Sequence, residues 1–134
     1  MEILRKNAVP TNHINGSDEI RRYYESSTGT FRIVVTHIPP GHVQNEHRHE
    51  HLLDIIYVVD GKVDVSERRD GTLTEITLDA GDMACFTPPF FHNLANRGSI
   101  PATTLTLKIT GNSEVSPESM KEIFEGDWIG HGGS

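Results

Sequence analysis

The stretch GHVQNEHRHEHLLDIIYVVDG, residues 41–61, decides how this chain folds. Its second half, residues 54–59, carries apolar side chains on both faces, as a strand buried between two layers does. It ends at Asp60-Gly61, a strong signal for a hairpin turn. Its first half is rich in histidine, because five of the eight histidines of the chain fall within residues 37–51. The stretch therefore predicts a buried strand that follows a segment of metal-binding character.

Short runs of alternating polarity lie on both sides of this stretch, separated by turn residues. The run over residues 30–38 ends at Pro39-Pro40-Gly41, which cannot continue a strand ladder. Residues 21–26 are expected to pair with residues 30–36 as an outer hairpin, although Ser17-Asp18-Glu19 could also begin one helical turn. The runs that follow the central strand are residues 62–67, 72–78, 83–86, 92–96 and 103–109, the first two forming a hairpin. Many short strands without a long helical period predict an all-β antiparallel barrel or sandwich.

The C-terminal part has a different pattern. Ser116 is a favourable N-cap, Pro117 suits the first helical position, and Gly126 follows the last turn. These residues predict a short helix over about 117–125, followed by a flexible tail over 129–134. The chain of 134 residues is expected to form one domain, with its barrel core over about 30–110.

Composition excludes several classes of function. With 19 acidic and 12 basic side chains the net charge is −7, and no basic patch is visible, so neither nucleic acid nor a membrane surface is an expected partner. A single cysteine, Cys85, can form neither an internal disulfide nor a cysteine zinc site. No secretory signal is recognisable at the start of the chain. A cytoplasmic location is the expectation.

The spacing of the histidines suggests a metal site. His47 and His49 are two residues apart, so on a strand they share one face, with Cα atoms roughly 6.6 Å apart. Two such imidazoles can converge on one ion. Asp54 and His92, expected on other strands, are candidates to complete the set, and His51 is an alternative because alternation gives it the same face. Three imidazoles and one carboxylate leave an octahedral ion two open positions for substrate.

In these residues the chain resembles the small single-domain members of the cupin superfamily. One cupin motif, G(X)5HXH(X)3,4E(X)6G, is matched at every spacing with Asp54 in place of Glu, and the other, G(X)5PXG(X)2H(X)3N, is matched with Thr87 and Pro89 in place of Pro and Gly. The matching residues are Gly41, His47, His49, Asp54, Gly61, Gly81, His92 and Asn96. The resemblance implies a jelly-roll barrel, also called a double-stranded β-helix, that is commonly a homodimer. It also implies one divalent metal ion held by His47, His49, residue 54 and His92.

The sequence supports two main hypotheses of function and a weaker third. The first hypothesis is an enzyme that uses the ion as a Lewis acid on a small organic metabolite, as a dioxygenase or as an isomerase, cyclase or lyase. The ion could be Fe, Mn, Ni, Cu or Zn, and His37, His51 or an unliganded Asp54 would move the proton. The alternative is a module that binds a metal or small molecule without chemistry. A storage protein is a weak third reading, since this chain keeps the ligand histidines. Asn96 is expected to satisfy turn backbone inside the barrel.

Overall fold

The computed structural model describes residues 1–14 and 18–110 of the chain. Within these residues nine strands form two antiparallel sheets, which confirms the all-β jelly-roll expectation. A short 3-10 helix, Lys6–Ala8, precedes them. The strands are β1 (Thr11–Ile14), β2 (Asp18–Glu25), β3 (Phe31–Ile38), β4 (Leu52–Asp60), β5 (Lys62–Arg69), β6 (Thr72–Asp79), β7 (Met83–Phe86), β8 (Phe91–Ala95) and β9 (Ala102–Thr110). The predicted helix over 117–125 and the tail over 129–134 lie outside the described residues.

The larger sheet has the strand order β1-β2-β3-β9-β4-β7 and the smaller one the order β6-β5-β8. The predicted outer hairpin is confirmed, since β2 pairs with β3 along most of its length. The hairpin of β5 and β6 is also confirmed; it turns at Asp70-Gly71, where both residues have positive φ. Strands distant in sequence thus meet in the middle of the larger sheet, where β9 lies between β3 and β4.

The prediction of a hairpin at Asp60-Gly61 is wrong. β4 pairs with β7 and β9, whereas β5 pairs with β6 and β8, so the chain passes here from one sheet to the other. Gly61 makes this corner possible, because its φ is +78° and a Cβ atom would lie only 2.7 Å from the carbonyl oxygen of Pro101. A dipeptide typical of hairpins serves equally well where a strand must bend sharply into a second sheet.

The inside of the barrel changes from apolar to charged along its strands. On β4 the residues Val58, Ile56 and Asp54 are buried, and on β9 their partners in register are Thr104, Thr106 and Lys108. The apolar part continues into a cluster of buried side chains made of Ile38, Ile56, Val58, Val63, Val65, Leu78, Phe86, Leu94 and Ala102. Packing thus stabilises one part of the barrel, while the other part is lined by groups capable of chemistry.

Asn96 has the structural role expected of it. Its side chain is buried, and its Nδ2 donates to the carbonyl oxygens of Ile38 and Ile100 at 3.0 and 2.8 Å. Its Oδ1 accepts a hydrogen bond from the backbone N–H of Gly98. The amide therefore ties the turn after β8 to the end of β3. No helix among residues 1–14 and 18–110 has the length and apolar character needed to cross a membrane.

Candidate metal centre

Four side chains from three parts of the fold meet inside the barrel. His47 and His49 precede β4, Asp54 lies on β4, and His92 lies on β8. One ligand atom from each lies within 4.8 Å of the others. His47 and His49 are not on a continuous strand as the spacing suggested. Instead a single bridge pairs His47 with His92 through backbone hydrogen bonds of 3.0 and 2.8 Å, which places their side chains next to each other.

Contacts around the imidazole rings fix their orientation. His47 donates from Nδ1 to the carbonyl oxygen of Asn45 at 2.8 Å, which leaves Nε2 with its lone pair for a ligand bond. The ring of Phe86 stacks on that of His92 with centroids 4.5 Å apart and planes inclined by 8°. Contacts to the part of the ring that does not bind the metal hold metal-binding histidines in place before the ion binds.

Two buried nitrogens in this cluster have no hydrogen-bond partner among the described residues. They are Nε2 of His49 and Nε2 of His92. Both face Oδ2 of Asp54, at 3.5 and 3.2 Å. A buried polar atom left unpaired costs about 1–3 kcal/mol, and a metal ion bound between these atoms would remove that cost. The residues present therefore fit a metal ion, and the cluster of His47, His49, Asp54 and His92 could hold one.

The charge states suit metal binding as well. Burial lowers the pKa of His47 and of His49, so both imidazoles are neutral at neutral pH. Burial opposes ionisation of Asp54, which is 2% exposed. His92 and the Lys108 ammonium outweigh that effect, and the pKa of Asp54 lies below its ordinary value. Neutral imidazoles beside a carboxylate are the forms that bind a divalent ion.

Lys108 is the residue of this site that sequence reasoning missed. It lies opposite Asp54 in the register of β9 and β4, and its Nζ is 2.9 Å from Oδ1 of Asp54. Because the ammonium takes Oδ1, only Oδ2 faces His49 and His92. Asp54 is thus prepared to bind an ion through one oxygen. The signal was the alternation along β9, which gives residues 104, 106 and 108 the same inward face.

A cavity of about 110 Å³ opens beside the cluster. Its wall combines apolar side chains, three threonines, one amide and the charged pair just described. The lining residues are Ile20, Val34, Thr36, Gln44, His47, Asp54, Ile56, His92, Leu94, Thr104, Thr106 and Lys108. A molecule in this cavity would therefore contact ligand residues on one side and an uncharged wall on the other.

The structure does not bring His37 or His51 to the cluster. His37 lies on the outer face of β3, with Nδ1 3.0 Å from Oγ1 of Thr103. His51 is exposed in the segment before β4. Neither residue lines the cavity. Of the two candidates for the fourth ligand, the clustered atoms include Asp54 and not His51.

The chain belongs to the cupin family. A model of the cupin domain matches residues 34–108, more than half of the chain, and this range includes all four clustered residues. A search of curated proteins finds no match.

Solved structures share the fold at low identity. KdgF from a Halomonas species is 16% identical with a TM-score of 0.70, covering 85% of this chain and 97% of its own. A protein from Thermotoga maritima described as a predicted oxalate decarboxylase is 19% identical with a TM-score of 0.67, covering 82% of this chain and 100% of its own. The cupin domain of an XRE family transcriptional regulator from Enterobacter cloacae is 18% identical with a TM-score of 0.60, covering 71% and 98%. At these identities the likeness concerns the fold alone.

Proposed function

We propose that this cupin is a metal-dependent enzyme that acts on a small organic metabolite in its internal cavity. One divalent ion would be held by His47, His49, Asp54 and His92. The observation that carries the proposal is the pair of buried, unpartnered Nε2 atoms that face a carboxylate oxygen at the cavity wall. Folding a barrel around unpaired polar groups is costly, and a bound ion accounts for that cost.

When bound, the ion would supply Lewis acidity to an oxygen of the substrate. A donor set of three imidazoles and one carboxylate accepts Fe, Mn, Ni, Cu or Zn, and availability decides among them. The residues of the chain would bind and orient the substrate. Ile56 and Leu94 would exclude water, and Lys108 would place a positive charge beside any group bound at the ion.

The reaction class proposed is dioxygenation, or an isomerisation, cyclisation or elimination. All of these need a group that holds or moves a proton near the substrate. Lys108 is the ionisable lining residue outside the proposed ligand set, and its ammonium, 2.9 Å from Asp54, could donate a hydrogen bond or a proton to a substrate oxygen. A role for His37 or His51 stays a prediction from the sequence, because both lie away from the cavity.

Metal analysis tests the proposal directly. Protein purified without chelator is expected to hold about one ion per chain, and His92→Ala and Asp54→Ala are expected to lose at least tenfold in metal affinity. His13→Ala, an exposed histidine of β1, is the matched control and should bind like the wild type. Full metal content in His92→Ala would refute this ligand set. Oxygen uptake and product formation with catechols, flavonols, thiols, 1,3-diketones and uronates would then separate the reaction classes.

A module that binds a ligand without chemistry is the second candidate. The cupin domain of the XRE family regulator shows that this fold also occurs in a regulatory protein, and the cavity of this chain could hold a ligand without chemistry. The two candidates differ in turnover. Stoichiometric metal with ligand binding and no product from the whole panel would favour the module, whereas any metal-dependent product formation would favour the enzyme.

We also propose that the protein is a homodimer located in the cytoplasm. Tyr57 and Val59 on β4 and Met83 on β7 are exposed apolar side chains on neighbouring strands. Among the described residues β7 is moreover an edge strand of the larger sheet, and a second copy could pair with it. Light scattering should give twice the mass of the chain, and a monomer at micromolar concentration would refute the dimer.

A further inference from the structure

A buried carboxylate holds an amide side chain at the wall of the cavity, away from the metal ligands. Asp18, at the start of β2, is 0% exposed, and its Oδ2 accepts a hydrogen bond from Nε2 of Gln44 at 2.6 Å. Gln44 is 8% exposed and lines the same cavity as His47 and His92. Neither Asp18 nor Gln44 belongs to the metal cluster.

This contact fixes which end of the amide is available. A carboxylate only accepts hydrogen bonds, so the NH₂ group of Gln44 must face Asp18. The other oxygen of Asp18, Oδ1, lies 3.1 Å from Nδ1 of His42 but makes no hydrogen bond to it, so the bond to Gln44 is the one that orients the amide. The hydrogen bond to Asp18 is the only one that the Gln44 side chain makes among the described residues. Its carbonyl oxygen, Oε1, is therefore a fixed acceptor without a donor from the described chain.

The charged residues of the cavity wall have a different electrostatic character. Asp54 and Lys108 are its charged lining residues, and their charges cancel. A divalent ion on the four ligands would leave the site with two net positive charges in a buried environment. Such a site favours an anionic group on its substrate, because burial strengthens the attraction.

We propose that the cavity selects a small hydroxylated carboxylate, with its anionic group at the ion beside Lys108 and a hydroxyl that donates to Oε1 of Gln44. The substrate class rests on the proposed function, since the ion provides the net charge. The volume of about 110 Å³ limits the size of the ligand. An apolar cavity of roughly 150 Å³ accommodates benzene, so the substrate has about six heavy atoms or fewer inside the barrel. Gln44 thus determines specificity, and Asp18 positions it.

The test compares matched ligands on protein loaded with Mn(II). Isothermal titration calorimetry would use 3-hydroxypropanoate, which has six heavy atoms, and 3- and 4-hydroxybutanoate, which have seven, each against the acid that lacks the hydroxyl. Wild-type protein should prefer the hydroxylated member of at least one pair by about three- to tenfold, the value of one neutral hydrogen bond. Gln44→Met, which keeps the length but removes both the acceptor and the NH₂ group bound to Asp18, should lower that preference to less than twofold. Its affinity for the deoxy acid and for Mn(II) should stay within twofold of the wild type.

Two further variants keep the result interpretable. Thr77→Val, on β6 away from the cavity, is the control and should keep the full preference. Should Gln44→Met not fold, Asp18→Asn replaces it, because an asparagine can face either end of the amide and should lower the preference by at least half. An undiminished preference in the folded variant, or equal binding of both members of every pair by the wild type, would overturn the proposal. A wild type that binds none of Mn, Fe, Ni, Cu and Zn would refute the proposed function and the anion selectivity, and the same pairs on metal-free protein would still test Gln44.

Discussion

Replacing Lys108 by methionine is the most direct test of the charge arrangement inside the barrel. Methionine keeps the unbranched stem of the side chain and removes the ammonium that contacts Asp54 at 2.9 Å. The carboxylate of Asp54 is almost fully buried and would lose its nearest positive charge. The metal-free protein should therefore be strongly destabilised, whereas a bound divalent ion would take over the role of the lysine.

The expected magnitudes follow from the burial of the two groups. Breaking a buried ion pair costs about 3–5 kcal/mol, and the low end applies because Lys108 is one quarter exposed. We expect a loss of about 3 kcal/mol in the free energy of unfolding, or about 10 °C in Tm for a chain of this length. The ammonium also repels the ion, so Lys108→Met should bind metal about tenfold more tightly, which is about 1.4 kcal/mol. By the thermodynamic cycle, the metal-saturated variant should be only about 1.6 kcal/mol less stable than the saturated wild type.

Urea denaturation with and without saturating metal measures both quantities. The control is Lys62→Met, because Lys62 pairs with Asp79 at 3.4 Å and both side chains are mostly exposed. That variant should change stability by less than about 0.5 kcal/mol under either condition. Equal stability of metal-free Lys108→Met and wild type would refute the role assigned to the lysine. A penalty that metal does not reduce would show that Asp54 is not a ligand.

Three further variants test other parts of the structure. Gly61→Ala should lower the free energy of unfolding by about 3 kcal/mol, and Gly71→Ala by roughly 1–2 kcal/mol. Both glycines have positive φ, but only a Cβ at position 61 would meet a carbonyl oxygen. Equal urea midpoints of the two variants would contradict this reasoning. Asn96→Ala should lower the free energy of unfolding by about 2–4 kcal/mol, because one buried and two part-buried hydrogen bonds are lost, whereas Asn12→Ala at an exposed position should be neutral in the same assay. Phe86→Leu should weaken metal binding about tenfold, because the ring stacked on His92 is lost; unchanged affinity by competition with a chromophoric chelator would refute that role.

The strands could be predicted from the sequence because their signals are local. Alternation and turn residues located every strand from β2 to β9, and the hairpin of β5 with β6 followed from its turn. The connection of β4 to β5 could not be predicted in the same way. Asp60-Gly61 allows a tight turn, but whether two strands pair across it depends on which partners are available elsewhere. Here β7 and β9 occupy both edges of β4, so β5 joins another sheet.

The site could be predicted as far as spacing along the chain determines it. His47, His49, Asp54 and His92 occupy motif positions, and the structure brings them together. The alternation along β9 gives Lys108 an inward face, but its contact with Asp54, like that of Asp18 with Gln44, could not be predicted, because it depends on partners far apart in the chain. His51 was considered a ligand because strict alternation gave it the face of His47 and His49. The segment over residues 41–50 is held to β8 by separate bridges, however, so alternation does not apply along it.

Lys108 also explains how the barrel can fold before it binds an ion. The four ligands come from elements that meet only in the folded state, so binding must stabilise the fold, by about 2.7 kcal/mol at a hundredfold excess over Kd. Without the ion and without Lys108, Asp54 would be a buried carboxylate whose neighbours His47 and His49 supply no charge at neutral pH, because burial lowers their pKa values. The lysine supplies that charge from the opposite strand and leaves Oδ2 free for the ion. An apolar residue at position 108 would favour metal affinity at the expense of the metal-free fold, whereas lysine keeps both states stable.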